Sequence, residues 1–366
     1  MNQTLKLEKD WFSKPGDSLK LLIRRRGVTV EQIATSISGG EETLRNIFGG
    51  AAAIDTKIAG ELAATIGGTK QFWLNRQSLY DSSLKQAVQE AADLEPEQWL
   101  DQVPDPLTVK PRNKKDLELH AQLHRRLQYF NVPTFDGWYE QYGKHASETP
   151  FRESPAFESQ ESSKLLWLRR GELEAELVTT DIWNPSVLKE SLPDIRKLTK
   201  ISKPYKFLPK LREILASSGV ALAVVKAPKK CPVSGATRMI APDKAMLLVS
   251  FRYRSDDQFW FTVFHEIGHL LLHGAQTFVD NDHSSTKDIE KEANQFARGC
   301  IIPIEALNDF RSLRLNRQSV LRFSTRIGVG TGLIVGQMQH AKMIRPDQFN
   351  TLKRYWKWED INAAAV

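Results

Sequence analysis

The chain has 366 residues, and 51 Lys and Arg against 44 Asp and Glu leave a net charge of +7. A 41% hydrophobic share with 9 Trp and 17 Phe excludes a disordered chain and gives room for two or three domains. Only Cys231 and Cys300 are present, which excludes a disulfide scaffold and a four-thiolate zinc site, and no apolar run approaches the ~18 residues of a membrane helix. The opening MNQTLKLEKDW has no apolar signal-peptide core, so the expectation is a soluble, cytoplasmic protein with no membrane contact. The small basic surplus fits either a nucleic-acid face or solubility alone.

Residues 15–90 read as short helices. Pro15-Gly16-Asp17 opens the first, with Asp17 or Ser18 expected as N-cap, and Gly27 closes it. Thr29 with Gln32 forms a capping-box pattern, and Gly39-Gly40 turns the chain into EETLRNIF, which ends at Gly49-Gly50. Leu19, Ile23, Ile33, Ile37, Leu44, Ile47, Ile58, Leu62 and Ile66 fall at helical spacing. The Gly-containing turn between the second and third helices is a helix-turn-helix pattern.

With Gly49 after the third helix and ELAATIGGTKQFWLNRQSLYD beyond it, including Trp73, Gln77 and Tyr80, this stretch resembles the XRE-type DNA-binding domain and, within it, the HigA-type antitoxins. The resemblance implies a helix-turn-helix domain over residues 1–92. Arg45 and Asn46 on the recognition-helix position, with Arg24, Arg25 and Arg26, are then the candidate DNA contacts. Glu41 and Glu42 stand at the end that would enter the groove, where carboxylates repel phosphates. A protein-docking module is therefore the competing reading.

From 93 to 113 periodicity gives way to Pro96, Pro104, Pro106 and Pro111, the mark of a linker. Residues 114–200 return to helical composition, with Trp138, Trp167 and Trp183 and no chemical motif. VALAVVKAP (220–228) and AMLLVSFRYR (245–254) read as strands, and helices return from Phe259. VSGATRMI (233–240) reads as an edge strand able to align an extended substrate. The expected fold class is α+β and mostly helical, with a small sheet in a C-terminal domain over 201–366.

Four of the eight histidines, His265, His269, His273 and His283, fall within 19 residues. The first two belong to His265-Glu266-Ile267-Gly268-His269, an HExxH motif. On a helix, positions i and i+4 share a face, so both imidazoles can reach one Zn2+ at ~2.0–2.1 Å. Glu266, beside the first ligand, is placed to take a proton from a water. The bland alternative is a buried helix whose histidines donate to carbonyls. Gly268 reads as leaving room between the ligands. The acidic helix DIEKEANQFARGCIIP (288–303) supplies Glu290 as third ligand and Asn294 as its hydrogen-bonding support, while Glu292 on the other flank is not excluded by the helical wheel.

GATRMIAPDKAMLLVSFRYRSDDQFWFTVFHEIGHLLLH, EKEANQFARGCIIP and RIGVGTGLIVGQMQH resemble the ImmA/IrrE family of zinc metallopeptidases over about 200–345. That resemblance implies zinc on His265, His269 and the Glu290 position, a catalytic base at Glu266, and a zincin-like fold. It also implies a cytosolic helix-turn-helix repressor or antitoxin as protein substrate.

His273, one turn beyond His269, is too far along the helix for a third ligand and suits a supporting or capping role. Tyr253, Arg254, His340 and His283 are the candidate oxyanion donors. Cys231 follows Lys229-Lys230, which would lower its pKa and make it a candidate inhibitory thiol, whereas Cys300 reads as core. The reading is a zinc metalloendopeptidase in a stress-response or toxin–antitoxin-like circuit, with a homodimer compatible. Its rivals are a DNA-binding regulator with a silent peptidase domain and a zinc-stabilised scaffold.

Overall fold

The computed structural model describes residues 12–107, 118–143, 155–228, 231–274, 278–279 and 287–362. The chain divides into two compact units, Met1–Arg169 and Arg170–Val366. The described part of the first unit is helical. Helices α1 (Pro15–Arg26), α2 (Val30–Ala34), α3 (Gly40–Gly49), α4 (Thr56–Thr65) and α5 (Lys70–Leu94) follow in order. Thr29 and Gln32 do cap each other: Thr29 N donates to Gln32 Oε1 at 2.9 Å, and Gln32 N donates to Thr29 Oγ1 at 3.2 Å. The N-cap of α1 is Lys14 rather than Asp17 or Ser18. Pro15 occupies the first turn, and Asp17 accepts from Lys14 N at 2.9 Å. Gly16 sits where α1 crosses α3, since an added Cβ would lie 2.6 Å from Ile47 O. Eight of the nine apolar positions read from the sequence are buried, and Ile58 is half-buried.

The stretch 93–113 is folded in its described part rather than an open linker. Pro96 starts helix α6 (Pro96–Gln102), because a proline needs no N–H donor in a first turn. Trp99 and Val103 are buried in one core with Tyr80, Leu84, Leu127 and Trp138. Asp105, just past α6, is held by Arg125 at 2.9 Å on α7 (Leu119–Phe130). Helix α8 (Phe135–Trp138) and a π-turn (Tyr139–Gly143) lead toward α9 (Pro155–Leu177). The division between units falls inside α9, away from the boundaries near 92 and 200 that composition marks. Helices of the region 114–200 contribute to both cores: Leu123, Phe130 and Trp138 to the first, and Leu188 and Ile195 to the second.

In the second unit α10 (Pro185–Leu198) and α11 (Pro204–Ala216) precede β1 (Val220–Val224), β2 (Gly235–Ala241) and β3 (Lys244–Val249). Then come α12 (Asp256–Leu272), β4 (Phe278–Val279), α13 (Lys287–Ile301), α14 (Leu307–Arg311), α15 (Arg317–Ile327), α16 (Thr331–His340) and α17 (Trp358–Asn362). The chain is thus mostly helical with one small sheet, ordered β1-β3-β2-β4. Strand β1 runs parallel to β3, and β2 runs antiparallel to β3 and β4. Strand β2 is therefore not a full edge. The two-residue β4 pairs with Ala236 and Thr237, while Arg238 to Ala241 pair only with β3 among the described residues.

Helix α12 lies in the core through Trp260, Val263, Phe264 and Ile267, all fully buried. Its start is fixed from the far end of the chain. Asp256 N donates to Arg354 O and Arg354 N to Asp256 Oδ1, each at 3.0 Å, and Trp356 N donates to Arg254 O at 2.8 Å. Buried Asp257 pairs with Lys353 at 2.7 Å. Burial, joined by the charge of Asp257, raises the Asp256 carboxyl to about 6 against the hydrogen bond from Arg354 N. Among the described residues no helix is long and apolar enough to cross a membrane.

Candidate metal centre

The apolar face of α12 carries three polar residues into the interior: His265, Glu266 and His269 are 4%, 1% and 1% exposed. Helical spacing sets His265 Nε2 and His269 Nε2 3.0 Å apart. Helix α13 brings Glu290 to both, with Oε2 3.2 Å from His265 Nε2 and Oε1 3.2 Å from His269 Nε2. The ring of Phe261, one turn earlier, lies roughly parallel to that of His265, with centroids 6.2 Å apart.

His265, His269 and Glu290 form one cluster able to hold a metal ion, with all ligand atoms within 4.8 Å of one another. Four ligands at ~2.0–2.1 Å in a tetrahedron are about 3.4 Å apart. The observed 3.0–3.2 Å separations fit three corners of such a site. Charge fits as well. Burial depresses the His269 pKa, helped by His265 and His273 against the pull of Glu290, which favours a neutral imidazole. Burial alone would raise the Glu290 carboxyl, but hydrogen bonds and charge from His265 and His269 bring it down to about 2. A neutral His269 imidazole and an ionised Glu290 carboxylate are the forms in which these groups bind a divalent ion.

Glu292 lies outside this cluster and meets His273 Nε2 at 3.1 Å instead. His273 supports His269 directly, Nδ1 to Nδ1, at 3.1 Å. Asn294 is half-buried on α13, and the imidazoles meet one another, Glu290 and Glu292 at hydrogen-bond distance. Gly268 does not face the space between the ligands. It lies at the α12–α13 crossing, where a Cβ would stand 3.1 Å from Phe296 Cδ1 and 3.3 Å from Ala293 Cα.

Gly235 carries no sequence signal of its own, yet it forms the wall facing Glu266. A Cβ there would collide with Glu266 Oε1 and lie 2.6 Å from Thr262 Cγ2. Thr262 lines a depression with Ser234, Gln258, Tyr253 and Arg254, one helical turn from Glu266. Two of the oxyanion candidates, Tyr253 and Arg254, thus line this depression, which includes none of the three cluster residues. His340 instead touches Arg298 on α13, and His283 lies outside the described residues. Cys231 is buried but does not join the cluster, and the lysines before it lie outside the described residues. Cys300 is half-buried against the core, and burial pushes its thiol up to about 12.

In the first unit Arg24, Arg25, Arg26 and Asn46 are exposed, and Arg45 is paired with Glu41 at 2.9 Å. The family model of the IrrE N-terminal-like domain (Peptidase M78) matches residues 234–336, from β2 to α16. This region, which holds the whole cluster, is metallopeptidase-like. No curated protein matches the chain.

Proposed function

We propose that the C-terminal region, read from the sequence as 201–366, is a zinc-dependent metalloendopeptidase. The supporting observation is a set of three donors at 3.0–3.2 Å beside a glutamate that is 1% exposed. His265, His269 and Glu290 would hold the ion. When bound, zinc supplies Lewis acidity toward a peptide carbonyl and makes a water more acidic. Glu266 takes the proton of the attacking water and delivers it to the leaving amine as the C–N bond breaks. Gly235 leaves its carboxylate room to do so, and the strand read from the sequence at 233–240 would align an extended substrate by main-chain hydrogen bonds. A silent regulator is the weaker reading, because a buried carboxylate costs several kcal/mol that an inactive domain has no reason to retain.

The substrate follows from the ImmA/IrrE resemblance: a helix-turn-helix repressor or antitoxin, cut in a stress-response or toxin–antitoxin-like circuit. For residues 1–92 we propose an XRE-type helix-turn-helix that docks DNA or a similar protein. Exposed Arg24, Arg25, Arg26 and Asn46 support a DNA face, while the Glu41–Arg45 pair favours protein docking. A gel-shift series with DNA against salt separates them: phosphate contacts give a DNA affinity with sequence preference and a steep salt slope, and a DNA affinity with neither would favour protein docking. The peptidase reading is tested with zinc-loaded protein and the helix-turn-helix proteins encoded beside its gene. A discrete cut that chelation stops and zinc restores is expected. Intact partners, or cutting indifferent to chelation, would overturn it.

A further inference from the structure

Two residues that this chemistry does not use stand in line behind one of its donors. His273 Nδ1 lies 3.1 Å from His269 Nδ1, and His273 Nε2 lies 3.1 Å from Glu292 Oε2. The His273 side chain is 8% exposed, whereas that of Glu292 is 61% exposed at the solvent end of the line. A neutral imidazole carries one N–H and one lone pair, so two facing Nδ1 atoms form a hydrogen bond only when one donates and the other accepts.

His269 Nε2 faces His265 Nε2 and Glu290, so it must present a lone pair to a metal held there. Its proton then sits on Nδ1 and is donated to His273 Nδ1. The His273 proton is left on Nε2, where the ionised Glu292 carboxylate can only accept it. Each assignment forces the next. A carboxylate at the surface thereby selects the ligand-competent tautomer of a histidine two links away.

We propose that Glu292 and His273 are positioning residues that fix the tautomer and ring orientation of His269 and so strengthen divalent-metal binding by the His265–His269–Glu290 centre. This rests on the reading of that centre as a metal site. It also accounts for two acidic residues on one turn of α13: Glu290 reaches the centre directly, and Glu292 reaches it through two imidazoles. Partners of this kind around a metal ligand are worth about 10- to 100-fold in affinity.

The test uses the full chain labelled with 15N-histidine and loaded with one equivalent of zinc. A long-range 1H–15N spectrum is expected to show His269 protonated on Nδ1 and His273 on Nε2. Zinc affinity is read by competition with a chromophoric chelator. Glu292→Ala is expected to bind zinc about 10-fold more weakly, His273→Phe up to about 100-fold, and Glu292→Gln, which keeps an acceptor oxygen, less than Glu292→Ala. Asp288→Ala removes an exposed charge from the same helix and is expected to stay within about twofold, since exposed charges interact weakly. His273 protonated on Nδ1, Glu292→Ala within twofold of the parent, or an equal loss in Asp288→Ala would overturn the relay. Parent protein that binds no zinc would overturn the metal reading and the relay with it, whereas tight parent binding with an unaffected Glu292→Ala defeats the relay alone.

Discussion

Helices α3 and α12 were both singled out by sequence, and the structure treats their polar residues in opposite ways. On α12 two imidazoles and a carboxylate are at most 4% exposed. On α3 Glu42 and Asn46 stay exposed, and Arg45 is neutralised by Glu41 four residues earlier. Burying ionisable groups costs several kcal/mol unless they are paired or bind a metal, so the burial on α12 points to chemistry. Polar side chains left in water cost almost nothing, and on α3 they favour no one role. A motif gains functional meaning when its residues stand where folding alone would not put them.

The contrast can be pressed at four points. The largest effect is expected from Glu266→Gln, which keeps the metal donors and lowers peptide cleavage by about 10²–10⁴-fold, read as single-turnover rates. Equal rates would remove the distinction between the two helices. Gly235→Ala comes next, because its methyl group collides with Glu266 and Thr262. Displacing a catalytic group by ~1 Å costs about 100-fold, and the crowding costs about 1–3 kcal/mol in denaturant midpoints.

Asp256, at the start of α12, titrates near 6 when folded and at the ordinary carboxylate value when unfolded. A raised folded pKa means that the neutral form is the stabilising one, so its contribution is present at pH 4 and lost as pH rises through about 6. Asp256→Asn keeps an acceptor for Arg354 N. It is expected to stabilise by about 1–3 kcal/mol at pH 8 and very little at pH 4, measured by urea unfolding at both. The smallest effect belongs to α3: Arg45→Ala is expected to cost about 0.3–0.5 kcal/mol, typical of an exposed i,i+4 pair. A loss several times larger would show α3 to be more than a solvated face.

Local patterns were legible in the sequence because their physics is local. Four-residue spacing placed His265 and His269 on one face, the Thr29–Gln32 box lies within one turn, and the apolar runs read as strands at 220–228 and 245–254 do form strands, though only over 220–224 and 244–249. Glu290 was legible as one of two flanking acids, and only the packing of α13 on α12 separates it from Glu292. Long-range features were hidden. Pro96 reads as a breaker until Trp99 is seen buried against α5 and α7. Gly235 looks like any loop glycine until Glu266 is set against it, and the pairing of residues 354–356 with 254–256 spans a hundred residues.

The metal centre is tested most directly by zinc stoichiometry, measured by elemental analysis after gel filtration. The parent protein and Glu292→Ala are expected to carry one zinc per chain when loaded in excess, and Glu290→Gln and His265→Ala little or none. One tightly held zinc in Glu290→Gln, or none in the parent, would contradict it.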